Sequence, residues 1–304
     1  MPPEQVLSFG PAVVISHNAA VVIARHQSVE QEHDLIFFRV RGVWSCMPVP
    51  DTLTGLAFDH VRKELVVTTG NGLAHIVSAA GHTIEVIDTA SDGPSNLQWI
   101  LGAVEILGDV YAYGMSRQVY RRSGPARWER IDQNMRTNDV AGIRSVAGHS
   151  NRELYGVGFK GEIWVYDGLQ WIEVATPTNV KLEAVVCAPD GTVYACGGAG
   201  VLLKGRGESW TQIPQNTVRD TVWSATWFKG ALYLATTTGL FYLKDNDLVL
   251  VPGLPSGAST FGYLSGADGA MWSVGHSDLI EFEGTQWHRI EPPEVAVTPR
   301  AEAP

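Results

Sequence analysis

Cysteine and methionine are scarce, and no apolar run is long enough to cross a bilayer. Three cysteines, Cys46, Cys187 and Cys196, stand in 304 residues. They are too few for a disulfide framework, and no metal-ligand spacing links them. Cys187 and Cys196 are expected on neighbouring strands as two buried thiols, and a reducing cytoplasm is the default compartment. No stretch approaches about 18 consecutive apolar residues, so no membrane span is expected. The opening Met1-Pro2-Pro3-Glu4-Gln5 lacks the basic start and apolar core of a signal peptide. No window holds a 3.6-residue apolar period over three turns, which removes long helices from the expectation. Clustered Lys and Arg are missing too. The net charge is −10, which argues against nucleic acid and suits a soluble protein or one with a basic partner.

What the chain does have is aromatic residues and turns. Ten Trp, nine Tyr and 32 Gly stand against five Met, within 45% apolar residues overall. That composition favours strands and supplies a sizeable core. The stretch 153–174, ELYGVGFKGEIWVYDGLQWIEV, reads as three short strands. Gly158-Phe159-Lys160-Gly161 joins the first two and Asp167-Gly168 the last two, as in a β-meander.

The piece recurs. A large residue near the start of a strand returns at Trp44, Ile84, Trp128, Trp171, Trp210, Leu248 and Trp287, at steps of 40, 44, 43, 39, 38 and 39. In phase with it runs an apolar-aromatic pair: Leu65-Val66, Val110-Tyr111, Leu154-Tyr155, Val193-Tyr194, Leu232-Tyr233 and Met271-Trp272. A further strand precedes each pair. Each unit therefore holds four strands, and there are seven units. The first reads as 12–16, 20–25, 35–40 and 43–49. The others start near Leu53, Leu101, Gly142, Leu182, Val222 and Phe261.

Four-stranded sheets repeating at about 40 residues mark a β-propeller. Stacking twisted sheets radially covers both apolar faces of each and leaves only short edges. The expected fold is all-β, a seven-bladed propeller over 11–290. Residues 1–10 form a lead-in or an edge strand added to the last blade, and 291–304 form a loose Pro/Ala/Glu tail. The recurring tryptophans are expected to pack against the neighbouring blade rather than to hold ligand. A β-sandwich pair would have no reason to keep seven near-equal periods.

At 161–168, GEIWVYDG, and 207–213, GESWTQI, the chain resembles bacterial propellers of the loose WD40/YVTN/BNR-like repeat superfamily, with units written roughly VYAxGxxGxIxxxDGxxW. The resemblance covers about 11–290 and implies an architecture. The glycine-histidine and tryptophan-aspartate marks of true WD40 repeats are absent. The superfamily's Asp box survives in part: Leu203 and Gly205 stand where Ser and Asp belong, while Gly207, Ser209 and Trp210 fit. The arginine triad, tyrosine nucleophile and acid of its sialidases cannot be assembled here. Similar propellers serve as assembly factors, inhibitory or immunity partners, sensors and lectins, so fold alone does not give function.

Chemistry is hard to find in the residues. Gly197-Gly198-Ala199-Gly200 is followed by Val201-Leu202-Leu203, a strand, whereas a phosphate loop needs a helix N-terminus there; it reads as a hairpin turn. The nine histidines show no HxH or HExxH grouping. No Gly-x-Ser-x-Gly elbow is present. An axial metal is the enzyme alternative, a hydrolase or lactonase-like activity with Glu183, Asn138 and Asp139 as conceivable ligands. A carbohydrate-binding lectin is third. No cofactor is expected.

The remaining candidate is the face bearing the turns between second and third strands and the connections between blades, since loops on a rigid scaffold carry function. Its candidate binding residues are Asn71, Trp99, Arg117, Arg136, Arg144, Lys160, Glu183, Trp223, Phe261 and His276. Arg beside Trp is the composition of interface hot spots. The competing reading is that these side chains plug the central channel. Three long connections, 26–34, 88–98 and 133–139, fall on this side. The expectation is a cytoplasmic bacterial propeller that performs no chemistry and binds another protein, in an immunity, toxin-inhibitor or assembly-factor role.

Overall fold

Turn chemistry cuts the chain into strands of three to ten residues, and a computed structural model describes residues 7–26, 34–96, 99–136 and 141–292. The turn at 167–170 shows how. Asp167 Oδ1 accepts the N–H groups of Leu169 and Gln170 at 2.8 and 2.9 Å, and Gly168 takes φ of +95°. That conformation is open to glycine and strained for other residues. The glycine cluster at 197–200 behaves as expected. It forms a single tight turn and passes straight into the strand Leu202–Arg206.

The 28 strands form seven antiparallel sheets, each of four strands consecutive in sequence. The blades span 7–49, 53–86, 100–130, 143–174, 182–212, 224–250 and 263–289. Every blade is thus complete in itself, and no sheet mixes strands from the two ends of the described chain. The option of an N-terminal strand at the edge of the last blade is not what forms. Instead Leu7–Ser16 is one long innermost strand of blade 1, with Leu7, Ser8 and Phe9 paired to His26, Arg25 and Ala24. Phe9 N–H adds one bond to the carbonyl of His276 in blade 7, at 3.0 Å.

The core lies between blades, in seven apolar slabs, one at each junction around the ring. Each recurring tryptophan fills the slab against the preceding blade. Trp171 is 1% exposed among Ile106, Tyr111 and Val119 of blade 3. Trp210 meets Tyr155 edge-on at 6.0 Å, and Trp44 meets Trp272 of blade 7 at 6.1 Å. Ile84 is the exception. It is 54% exposed, whereas Leu248 at the equivalent place in blade 6 is 2% exposed in its slab, so the junction of blades 1 and 2 leaves this position outside its core.

One junction has a polar heart. Between blades 2 and 3 Arg122 is fully buried, bonded through Nε and Nη2 to Glu85 and through Nη1 to Glu64, all at 2.8 Å. The indole N–H of Trp128 donates to the same Glu85 at 2.8 Å.

Innermost strands do not pair with one another, so side chains join them. Ser145, Ser224 and Ser265 each accept a backbone N–H from the next blade: Val185 at 3.2 Å, Leu264 at 3.1 Å and Val14 at 2.9 Å. The last of these spans the junction between blades 7 and 1. Ser265→Ala is therefore expected to lower stability by about 1 kcal/mol, read as a fall in urea midpoint at constant m-value.

Candidate functional site

Because strands alternate in direction, the turns between second and third strands and the connections between blades emerge together on one face. The ten expected residues divide there by depth. Asn71, Trp99, Lys160, Trp223 and His276 are exposed on it. They belong to different blades, so they ring the face instead of forming one patch. Trp99, 57% exposed, lies over Gly70, where an added Cβ would sit 2.8 Å from the indole. Trp223, 43% exposed, donates its indole N–H to Thr237 Oγ1 at 3.0 Å. His276 Nδ1 bonds Ser8 Oγ at 2.8 Å.

Arg117 and Phe261 do not reach the surface. Arg117 is 7% exposed; its Nε donates to Glu162 at 2.7 Å, and its guanidinium lies 5.6 Å from the Trp164 ring centroid. Phe261 is 5% exposed in the slab between blades 6 and 7. Sequence position put both at the face, but a desolvated carboxylate and an apolar slab draw them inward.

Arg136 belongs to a rim network. Its Nε bonds Asp132 at 2.8 Å and its Nη2 donates to the Tyr120 hydroxyl at 2.7 Å. Arg130 holds Asp88 and Asp92 at 2.5 Å each. These ion pairs fasten the connection 88–96 onto blade 3, so it is a built surface. Burial pushes the Asp132 carboxyl up despite Arg136 beside it. The connections at 27–33, 97–98 and 137–140 lie outside the described residues, and with them Asn138 and Asp139.

Arg144 and Glu183 line the axial channel, a cavity of about 620 Å³ walled by all seven innermost strands. Glu183 is 5% exposed. It receives Arg144 Nε at 2.8 Å and the Lys181 ammonium at 2.6 Å. Lys181 in turn sits 5.3 Å from the Phe159 ring centroid. The channel-plug reading therefore describes Arg144 and Glu183, whereas Trp223 serves both channel and face. Among the described residues no group of three His, Cys, Asp or Glu is arranged to hold a metal ion. Glu183, the described member of the conceivable metal set, is occupied by two cations.

Sequence reasoning missed two channel residues, Tyr113 and Tyr263. Tyr113 sits on a second strand, Asp109–Gly114, and would be assigned to a slab. It reaches the channel because Gly102 on the strand inside it has no side chain; a Cβ there would lie 2.5 Å from the Tyr113 hydroxyl. Burial pushes the Tyr113 hydroxyl up to about 12 and also raises Tyr263, with Arg144 pulling both down.

With this geometry in place, the Immune protein Tsi7 of Pseudomonas aeruginosa proves 42% identical over 208 residues, 67% of this chain and 67% of that protein. The chain belongs to the Tsi7 family. No family model matches it. Among solved structures, this Tsi7 relative is similar to virginiamycin B lyase from Staphylococcus aureus, with TM-score 0.66 at 9% identity over 81% of this chain and 85% of that one. YCF48 from Cyanidioschyzon merolae gives TM-score 0.68 at 10% identity, covering 92% and 96%. One of these neighbours is an enzyme by its title. At such identities they show the propeller fold alone. No helix among the described residues is long and apolar enough to cross a membrane.

Proposed function

We propose that the protein neutralises a toxin by binding it through the face that carries the blade connections, without chemistry of its own. The observation that carries this reading is the 42% identity to Immune protein Tsi7 over two thirds of both chains. The face itself supports it. Trp99 and Trp223 offer large aromatic area, and the ion pairs of Arg130 with Asp88 and Asp92 and of Arg136 with Asp92 hold one long connection in place. Aromatic anchors on a preorganised rim are what tight protein capture requires. The net charge of −10 favours a basic partner. Three free cysteines suit action in the cytoplasm.

Co-expression with the protein encoded beside it, scored by growth rescue and by titration of purified components, tests the proposal. Trp223→Ala is expected to weaken capture about thirtyfold or more. Leu169→Ala, in a turn on the opposite face and 89% exposed, is expected to leave it unchanged. Equal capture by both variants would move the contact off this face, and growth rescue without any complex would overturn the binding mechanism.

A further inference from the structure

The charged and polar groups facing the axial channel are not evenly matched. Of its described acids, Glu183 is bonded by Arg144 and has the Lys181 ammonium 2.6 Å from its other oxygen, while Glu105, on another blade, accepts the Gly108 N–H through Oε1 at 2.5 Å. Around Arg144 the donors are in surplus. Arg144 spends only Nε on Glu183, leaving its two terminal NH₂ groups without a hydrogen-bond partner among the described residues. The hydroxyls of Tyr113 and Tyr263 have none there either, and all three side chains line the same cavity. Arg144 and Tyr263 belong to blades 4 and 7, on opposite sides of the axis, so the donors converge from several directions. Arg144 and Lys181 share the Glu183 carboxylate, so these three groups together carry net positive charge, with the Glu105 carboxylate also on the channel wall. Trp223 adds an aromatic wall.

We infer that the channel around Arg144 is a binding site for a carboxylate, received by the free guanidinium NH₂ groups and by the Tyr113 and Tyr263 hydroxyls against the Trp223 ring. A carboxylate accepts several hydrogen bonds and pairs in a charge-assisted way with guanidinium. A neutral amide of the same shape would bring its own donors to a site that already has too many. The ligand is either a free small carboxylate or an Asp or Glu side chain on an inserted loop; the chemistry of reception is the same. The inference concerns the channel alone and stands whether or not the opposite party in the toxin reading is found.

Calorimetric titration at low salt with benzoate and with benzamide decides it. Benzoate is expected to bind with Kd on the order of 1–10 mM, and benzamide at least about tenfold more weakly. Arg144→Met is expected to abolish benzoate binding. Tyr263→Phe, at a position 44% exposed where the fold is not at risk, should weaken it about threefold or more. A second pair of probes, the capped peptides Gly-Asp-Gly and Gly-Asn-Gly, separates the sources. Binding of the Asp peptide as tightly as benzoate assigns the site to an acidic side chain, and binding of benzoate alone assigns it to a small molecule. The inference is overturned if benzamide binds as well as benzoate, if neither carboxylate binds, or if Arg144→Met keeps full affinity.

Discussion

Trp171→Ala is expected to lower the free energy of unfolding by about 3–5 kcal/mol, the cost of emptying a fully packed indole site. Trp171 is 1% exposed in the slab between blades 3 and 4, where Tyr111, Val119 and Leu154 close around it. Its backbone is also tied across the junction, since Asn134 Oδ1 accepts the Trp171 N–H at 3.2 Å and the Asn134 amide donates to its carbonyl. Those backbone bonds survive truncation, so the loss reports the indole. Ile84→Ala is the matched control. At the equivalent place in blade 2, and more than half exposed, it should cost well under about 1 kcal/mol. Denaturant titration of the two variants checks the pair, and similar losses would mean that the repeat anchor does not act through burial.

Arg122→Met is the second large expectation, at about 3–5 kcal/mol near neutral pH. Methionine fills the volume but leaves Glu85 and Glu64 without the guanidinium that bonds both. The pH dependence identifies the cause. Burial alone would raise the Glu85 carboxyl; bonds from Arg122, the Ala126 N–H and the Trp128 indole outweigh it and hold the carboxyl below its ordinary value. A carboxyl depressed in the folded state contributes stability above its unfolded value, near pH 4.3, and loses it as pH falls through the lower folded value. In the variant, burial dominates and Glu85 gains by taking a proton. The deficit should therefore be widest near pH 7 and shrink below about pH 4. A deficit flat across that range would point to packing instead of charge.

The architecture was legible because it repeats. Seven anchors at near-equal steps fix the blade count, and Asp-Gly and Gly-containing turns such as 167–170 fix where strands end. Depth was not legible to the same degree. Arg117 and Lys160 occupy matching second-to-third-strand turns, yet Arg117 is buried against Glu162, 45 residues away, and Lys160 is exposed. Nothing local distinguishes them, since the partner comes from the next blade. Tyr113 shows the same limit. Its access to the channel depends on Gly102 in the paired strand, a vacancy that becomes meaningful once register is known. Ile84 shares the spacing of the tryptophans and of Leu248, yet Leu248 is 2% exposed and Ile84 54%, so what the neighbouring blade offers decides whether this position is buried.

The seam between blades 7 and 1 carries a mechanical consequence. It is held by an apolar slab that includes the Trp44–Trp272 contact, by the Arg39–Glu281 ion pair, and by the Ser265–Val14, Phe9–His276, Ser8–His276 and Trp44–Glu291 bonds, with no sheet running through it. Among the described residues no ladder crosses any of the seven junctions, so two blades can part at this seam by opening an apolar slab and a few side-chain bonds, without unzipping a sheet. A partner gripping both flanks of the slit would work as a clasp, stiffening the whole circle by restraining one joint.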